Sequence, residues 1–238
     1  MTLSPFFTLH SELPREGPGD ADMPLWAVRR AQVRNGARIL DAACGPGADI
    51  GALLNAVPGS TVTGLDKQAH FVAAASERFA KNPRVDIRQG DIAEPGGPYD
   101  LIWCAGALYF LGVEAGLRLW KKALSPGGLV AFSEPVWFTD DRPEQAVANW
   151  AEYPAMTDEA GILSQVNAAG YRAIGTRPVS DAGWEAYYTP LDARIAQLRA
   201  TNPGPDLTRI LDEAVAEAAA WRAHREVFGY LTVLARLP

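Results

Sequence analysis

The sequence predicts a doubly wound α/β fold, with a mostly parallel sheet of about seven strands, helices on both faces and a helical, aromatic-rich cap. Two observations carry this expectation. Apolar strand-like runs alternate with helical stretches from Arg38 to Phe138, the pattern that lays parallel strands side by side through helical crossovers. The segment RILDAACGPGADIG, residues 38–51, joins the first apolar run to a helix through a tight glycine turn. At 238 residues the chain is long enough to bury a full core within one domain and a cap.

In the first predicted strand, 38–43, Ile39 and Leu40 supply the buried residues and Asp41 closes the run. Cys44-Gly45-Pro46-Gly47 makes the turn, and Ile50, Leu53 and Leu54 begin the apolar face of the following helix. Further strands are expected at 61–65, 84–88, 99–104 and 128–133, with turns at Pro58-Gly59, at 94–98 and at Ser125-Pro126-Gly127-Gly128. Val113, Leu117, Trp120 and Leu124 repeat at helical spacing, which makes 113–124 a helix with Trp120 in the core. Beyond Trp137 the sequence predicts helices near 143–150 and 158–169, a strand at 171–178 and an aromatic stretch at 183–191. Leu207, Ile210, Leu211, Ala214, Val215 and Ala218 form an amphipathic stripe, and the apolar run 227–235 reads as a last central strand. The expected organisation is an N-terminal arm and helix (1–35), an α/β core (36–178), a cap insertion (179–225) and a final core strand (226–238).

The formal net charge of −6 speaks against a nucleic-acid or anionic-membrane partner, which clustered Lys and Arg would serve. Cys44 and Cys104 have no metal-ligand spacing and do not make a disulfide framework, so a reducing compartment and no metal are expected. Residues 1–16 lack the basic flank and apolar run of a signal peptide, and no stretch approaches the roughly 18–20 apolar residues of a membrane span. A cytoplasmic monomer or homodimer is the expectation.

Glycine at 45 and 47 lets the backbone approach a ligand closely. A dinucleotide loop of the form G-x-G-x-x-G needs a third glycine where this chain has Ile50; the glycine comes one residue late, at Gly51. Pro46 stiffens the loop, and the Asp41 carboxylate beside it repels a pyrophosphate but suits an ammonium group or an ordered water. Asp66 ends the second strand nineteen residues after Gly47, where an α/β unit places a carboxylate on ribose hydroxyls; the alternative is a helix N-cap.

The spelling D-x-x-C-G-P-G, strand before and helix after, resembles motif I of the class I S-adenosylmethionine (SAM) dependent methyltransferases, and specifically those acting on small molecules. The resemblance implies SAM as cofactor, S-adenosylhomocysteine (SAH) as product, a small-molecule acceptor, and strand order 3-2-1-4-5-7-6 with the seventh strand antiparallel. For the cofactor it points to Asp41, Ala43, Gly45, Pro46 and Gly47 around the turn, to Asp66 and Lys67, to Asp91 and Ile92 at the adenine, to Cys104, and to Arg15 on the SAM carboxylate.

The run YDLIWCAGALYFLG, 99–112, resembles motif IV but lacks the Asn/Asp-Pro-Pro-Tyr spelling of enzymes that methylate DNA bases, and Ala105 carries no base onto its strand end. Candidate catalytic residues are Glu134, as general base or substrate-amine anchor, with Tyr109 and His10. A salt bridge or helix-dipole role is the alternative for Glu134. Trp137 and the cap aromatics Trp184, Tyr187 and Tyr188 are candidate acceptor contacts, or else they dock the cap. Two rival functions stay open: an NAD(P)-dependent oxidoreductase, and a non-catalytic SAM-binding regulatory protein.

Overall fold

A computed structural model of the chain describes residues 3–238; the first two residues of the expected N-terminal arm lie outside the described residues. The arm contributes α1 (Pro5–His10) and α2 (Asp22–Ala31). The alternating region gives β1 (Arg38–Ala42), α3 (Ile50–Ala56), β2 (Thr61–Asp66), α4 (Ala69–Phe79), β3 (Val85–Gln89), β4 (Tyr99–Ala105), α5 (Val113–Trp120) and β5 (Leu124–Trp137). There follow α6 (Glu144–Asn149), the two-residue β6 (Thr157–Asp158), α7 (Glu159–Ala168), β7 (Arg172–Pro178), α8 (Asp181–Arg199), α9 (Pro205–His224) and β8 (Phe228–Arg236).

The sheet runs β3-β2-β1-β4-β5-β8-β7, with β6 paired in parallel to the end of β5 off this path. Without β6 this is the order 3-2-1-4-5-7-6. β8 is antiparallel to both neighbours, while β1 to β5 pair in parallel. Two apolar layers cover the sheet. One packs Leu9, Met23, Val28, Leu53, Trp184 and Trp221 against β1, β4 and β8 residues such as Ile39, Trp103 and Leu234. The other packs Leu117, Trp120, Ile162 and Val166 against Leu40, Ile102, Phe132 and Val233. Alternate residues of one strand therefore serve opposite layers, as the two-residue period of a strand requires.

Local chemistry sets several helix ends. The Ser180 side chain accepts from the Gly183 amide at the start of α8, and Asp158 accepts from Gly161 at the start of α7. Trp120, whose indole N–H donates to the Ile92 carbonyl at 2.7 Å, is the last residue of α5, and the helix expected to reach residue 124 gives way there to a 3₁₀ turn over Lys121–Ala123. Leu124 already belongs to β5.

The turn expected at Ser125–Gly128 does not separate two elements. Leu124 pairs with Tyr99 and Leu129 with Leu101, so the intervening residues form an irregularity inside β5, with Gly127 at φ +74°. β5 is consequently fourteen residues long and carries Glu134 and Trp137 within the strand rather than after it. The aromatic stretch 183–191 is the first half of α8, which continues through Pro190. No helix among the described residues is long and apolar enough to cross a membrane.

Candidate cofactor and acceptor site

A cavity of about 580 Å³ opens at the carboxyl ends of β1, β2 and β4, where an open α/β sheet receives its ligand. Its floor is the glycine turn. Asp41, Ala43, Cys44 and Gly45 line it, with Ala43 at φ +58° and Gly45 at φ +52°. A left-handed alanine is uncommon enough to mark the turn as shaped for more than chain reversal.

Asp66 ties this turn to β2. One carboxylate oxygen accepts from the Gly45 amide at 2.9 Å and the other from Gln68 at 2.8 Å, and Asp66 lines the cavity at 7% exposure. Each oxygen keeps a further lone pair for a hydroxyl donor. Asp91 and Ile92 lie at one end of the cavity together with Lys67 and Phe71. The Asp91 carboxylate accepts from the Ala93 amide at 2.9 Å and from Lys67 at 3.4 Å, and these bonds, Ala93 first, hold it below the ordinary carboxylate range.

Asp41 is 3% exposed, and its Oδ2 atom is buried without a hydrogen-bond partner. Burial, reinforced by the neighbouring Asp49 and Asp66, pushes its carboxyl well above the usual value, and only Arg15 pulls the other way. A buried orphan oxygen of this kind is satisfied by a ligand that brings a donor.

The arm forms the roof. Arg15 donates to the Gly17 carbonyl at 2.6 Å and to Asp49 at 3.4 Å, and Asp49 also accepts from the Trp103 indole at 2.9 Å. His10 shares a 2.8 Å hydrogen bond with Glu16 Oε2, while Glu16 Oε1 is buried and unpartnered. Burial raises the Glu16 carboxyl above its ordinary value, against the lowering effect of His10. Glu16 sits directly over the glycine turn, since a Cβ on Gly45 would lie 3.2 Å from its Cγ.

The far wall follows β4. Ala105, Gly106, Ala107, Tyr109, Phe110 and Leu111 line it. Behind Gly106 stands the Tyr230 ring, 2.9 Å from where a Cβ would be, and behind Tyr109 the ring of Tyr153 at 5.6 Å. Tyr153 donates to Glu134 Oε1 at 2.7 Å; Glu134 is fully buried and its Oε2 has no partner. Burial pushes the Glu134 carboxyl up to about 7, with the Tyr153 hydrogen bond opposing, and pushes the Tyr109 phenol to about 12 with Glu134 contributing.

Of the residues expected at the cofactor, Arg15, Asp41, Ala43, Gly45, Asp66, Lys67, Asp91 and Ile92 line the cavity, as do His10 and Tyr109. Three others do not. Cys104 is wholly buried within β4, and burial raises its thiol far above the ordinary value. Pro46 faces away, its carbonyl meeting Arg78 at 3.5 Å. Gly47 serves packing, because a Cβ there would lie 2.8 Å from the Phe79 ring and 3.3 Å from Ile50.

The aromatic quartet expected around the acceptor is also outside the lining. Trp184 stacks on Trp221 at 4.9 Å, Tyr187 and Tyr188 pack beside them, and Trp137 lies edge-on to Phe228 under the Arg142 guanidinium. These rings fasten α8 and α9 to the sheet. Glu16, Asp49, Phe6, Phe7, Gln68 and Phe71 line the cavity without having been singled out in sequence. Among the described residues no group of His, Cys, Asp and Glu is arranged to hold a metal ion.

Residues 39–128, which hold the glycine turn and its carboxylates, match the family model described as a methyltransferase domain. The chain belongs to the class I SAM-dependent methyltransferases. It is 30% identical over 202 residues to a trans-aconitate 2-methyltransferase of Streptomyces avermitilis, an alignment covering 78% of this chain and 74% of that one. It is 30% identical over 154 residues to the enzyme of the same name from Paracidovorax citrulli, covering 62% of this chain and only 56% of the relative's length. A SAM-dependent methyltransferase from Geobacter sulfurreducens, solved with SAH, superposes with a TM-score of 0.85 at 19% identity over 99% of both chains, which establishes the shared fold.

Proposed function

We propose that this protein transfers a methyl group from SAM to a small-molecule acceptor. The observation that carries this is the cavity at the glycine turn, whose lining includes Asp41 with its orphan oxygen, the doubly anchored Asp66, and Asp91. Those residues fit the family's cofactor. Asp41 offers an acceptor for its ammonium group, Asp66 for the ribose hydroxyls, and Asp91 with Ile92 an acceptor and an apolar wall for the adenine.

SAM supplies a methyl group already activated on a sulfonium, so the chain needs to position an acceptor and exclude water. Water is excluded by the arm, where the Arg15–Asp49 pair and the His10–Glu16 hydrogen bond hold His10, Arg15 and Glu16 over the turn. Tyr109 lines the acceptor side and orients the acceptor, while Glu134, expected there as a general base, is buried outside the lining and hydrogen-bonded to Tyr153.

The test is calorimetric titration with SAH, followed by transfer of label from methyl-labelled SAM into a pool of small metabolites. Saturable SAH binding with label transfer is expected. Saturable SAH binding with no transfer to any metabolite would overturn the enzymatic reading in favour of a binding protein.

A further inference from the structure

The cofactor residues leave part of the cavity lining without a role. Phe6 of the arm and the segment 105–111 after β4 supply it, and neither brings a charged group. Phe110 is 73% exposed and Phe6 49%, which makes them the two most exposed large apolar side chains among the described residues. The other exposed large apolar side chains do not line this cavity. Exposed apolar rings on a cavity lining mark surface that a ligand covers.

Neither ring is needed to seat its own segment. In α1, Phe7 packs against His70 and Phe71 with ring centroids 4.7 and 6.1 Å away, and Leu9 is fully buried. Phe6 lies instead against Phe7 and His10 of the same helix, at 5.3 and 4.2 Å. In the turn after β4, Leu108 is fully buried, whereas Phe110 lies on the ring of its chain neighbour Tyr109 at 4.2 Å. Each exposed ring thus rests on a side chain that itself lines the cavity.

The charged part of the lining is ill suited to an anionic acceptor. Glu16, Asp41, Asp49, Asp66 and Asp91 outnumber the two permanent cations, Arg15 and Lys67, and both cations are engaged. Arg15 meets Asp49 and the Gly17 carbonyl, and Lys67 pairs with Asp91 at the cavity end that holds Ile92. A polycarboxylate is held by arginine forks, which pair two N–H groups with each carboxylate. Arg15 is the one guanidinium among the lining residues. A neutral molecule with an apolar body needs no counter-ion, and it takes the exposed rings out of water.

Building on the methyltransferase reading, we infer that the acceptor is a neutral small molecule whose apolar body covers Phe110, and that it is not a polycarboxylate such as the one named for the relatives. Phe110 is then a specificity-determining residue, with Phe6 a second contact on the arm.

The SAH-loaded protein is titrated by calorimetry with 1-naphthol and, separately, with trans-aconitate. 1-Naphthol is expected to bind saturably and trans-aconitate to give no heat of binding. Phe110→Ser removes an exposed ring, and it is expected to weaken 1-naphthol by about tenfold while leaving SAH affinity and the melting temperature of the free protein unchanged. A ring that served only the fold would lower the melting temperature instead. Phe6→Ser is expected to weaken 1-naphthol in the same direction, and an unmoved affinity removes Phe6 from the contact. Binding of trans-aconitate, absence of 1-naphthol binding, or a 1-naphthol affinity unmoved in F110S overturns the assignment. Failure of SAH to bind would sink the methyltransferase reading itself, whereas SAH binding together with trans-aconitate binding sinks only the apolar acceptor.

Discussion

Asp66 is fixed from both sides by backbone amides, so its carboxylate is held in one orientation rather than free as a surface acid would be. Asp66→Ala should weaken SAH binding by more than about tenfold in calorimetry; unchanged affinity would remove it from the ribose. Glu134 predicts a pH effect. Its folded-state value of about 7 against an ordinary 4.5 means that the native state keeps a proton the unfolded state releases, so its contribution to stability falls as pH rises from about 4.5 to about 7 and is flat above. The fall amounts to ~3 kcal/mol, and thermal melts across this window should show a pH dependence smaller by about that amount in Glu134→Gln than in wild type, the other buried carboxyls keeping the remainder. Asp66 and Asp41 were legible in sequence because each lies at a fixed offset from the glycine turn. Glu16 was not, since the arm reaches the cavity only through long-range packing, which leaves no local pattern.

At the scale of elements, the glycines divide between packing and ligand approach. Gly47→Ala puts a Cβ against Phe79 and Ile50 at φ +78°, and should cost ~2 kcal/mol in urea denaturation with little change in SAH affinity. A large loss of SAH affinity without loss of stability would return Gly47 to the ligand. The α8–α9 pair is held by the Trp184–Trp221 stack, and Trp184→Ala should cost ~3–5 kcal/mol. The aromatic run 183–191 was readable as apolar but not as helix, because its rings occupy one buried face only once α9 lies against it. Likewise the Ser-Pro-Gly-Gly signal at 125–128 carries genuine turn chemistry that β5 absorbs as an irregularity, a choice made by pairing with β4 and β8 rather than by the local residues.

For the whole molecule, the alternation of strand and helix was sufficient to anticipate the doubly wound sheet, and the motif resemblance its strand order. The full cavity was not legible, since its lining is assembled from the arm, the glycine turn and the segment after β4 together. Binding to the folded state alone should stabilise the chain by ~2.7 kcal/mol at a hundredfold excess of SAH over its Kd, seen as a rise in melting temperature that NADH does not produce. The same rise with NADH would contradict the shape read into the glycine turn. The placement of β8 also governs how the chain is made. Residues 228–236 insert between β5 and β7, pairing with both, so a nascent polypeptide that has not yet released them from the ribosome leaves β7 with no sheet to join and β5 with an open edge. A fragment ending at His224 should therefore fail to show cooperative melting, and productive folding must await synthesis of this late strand, during which the exposed edge is a target for chaperones or for aggregation.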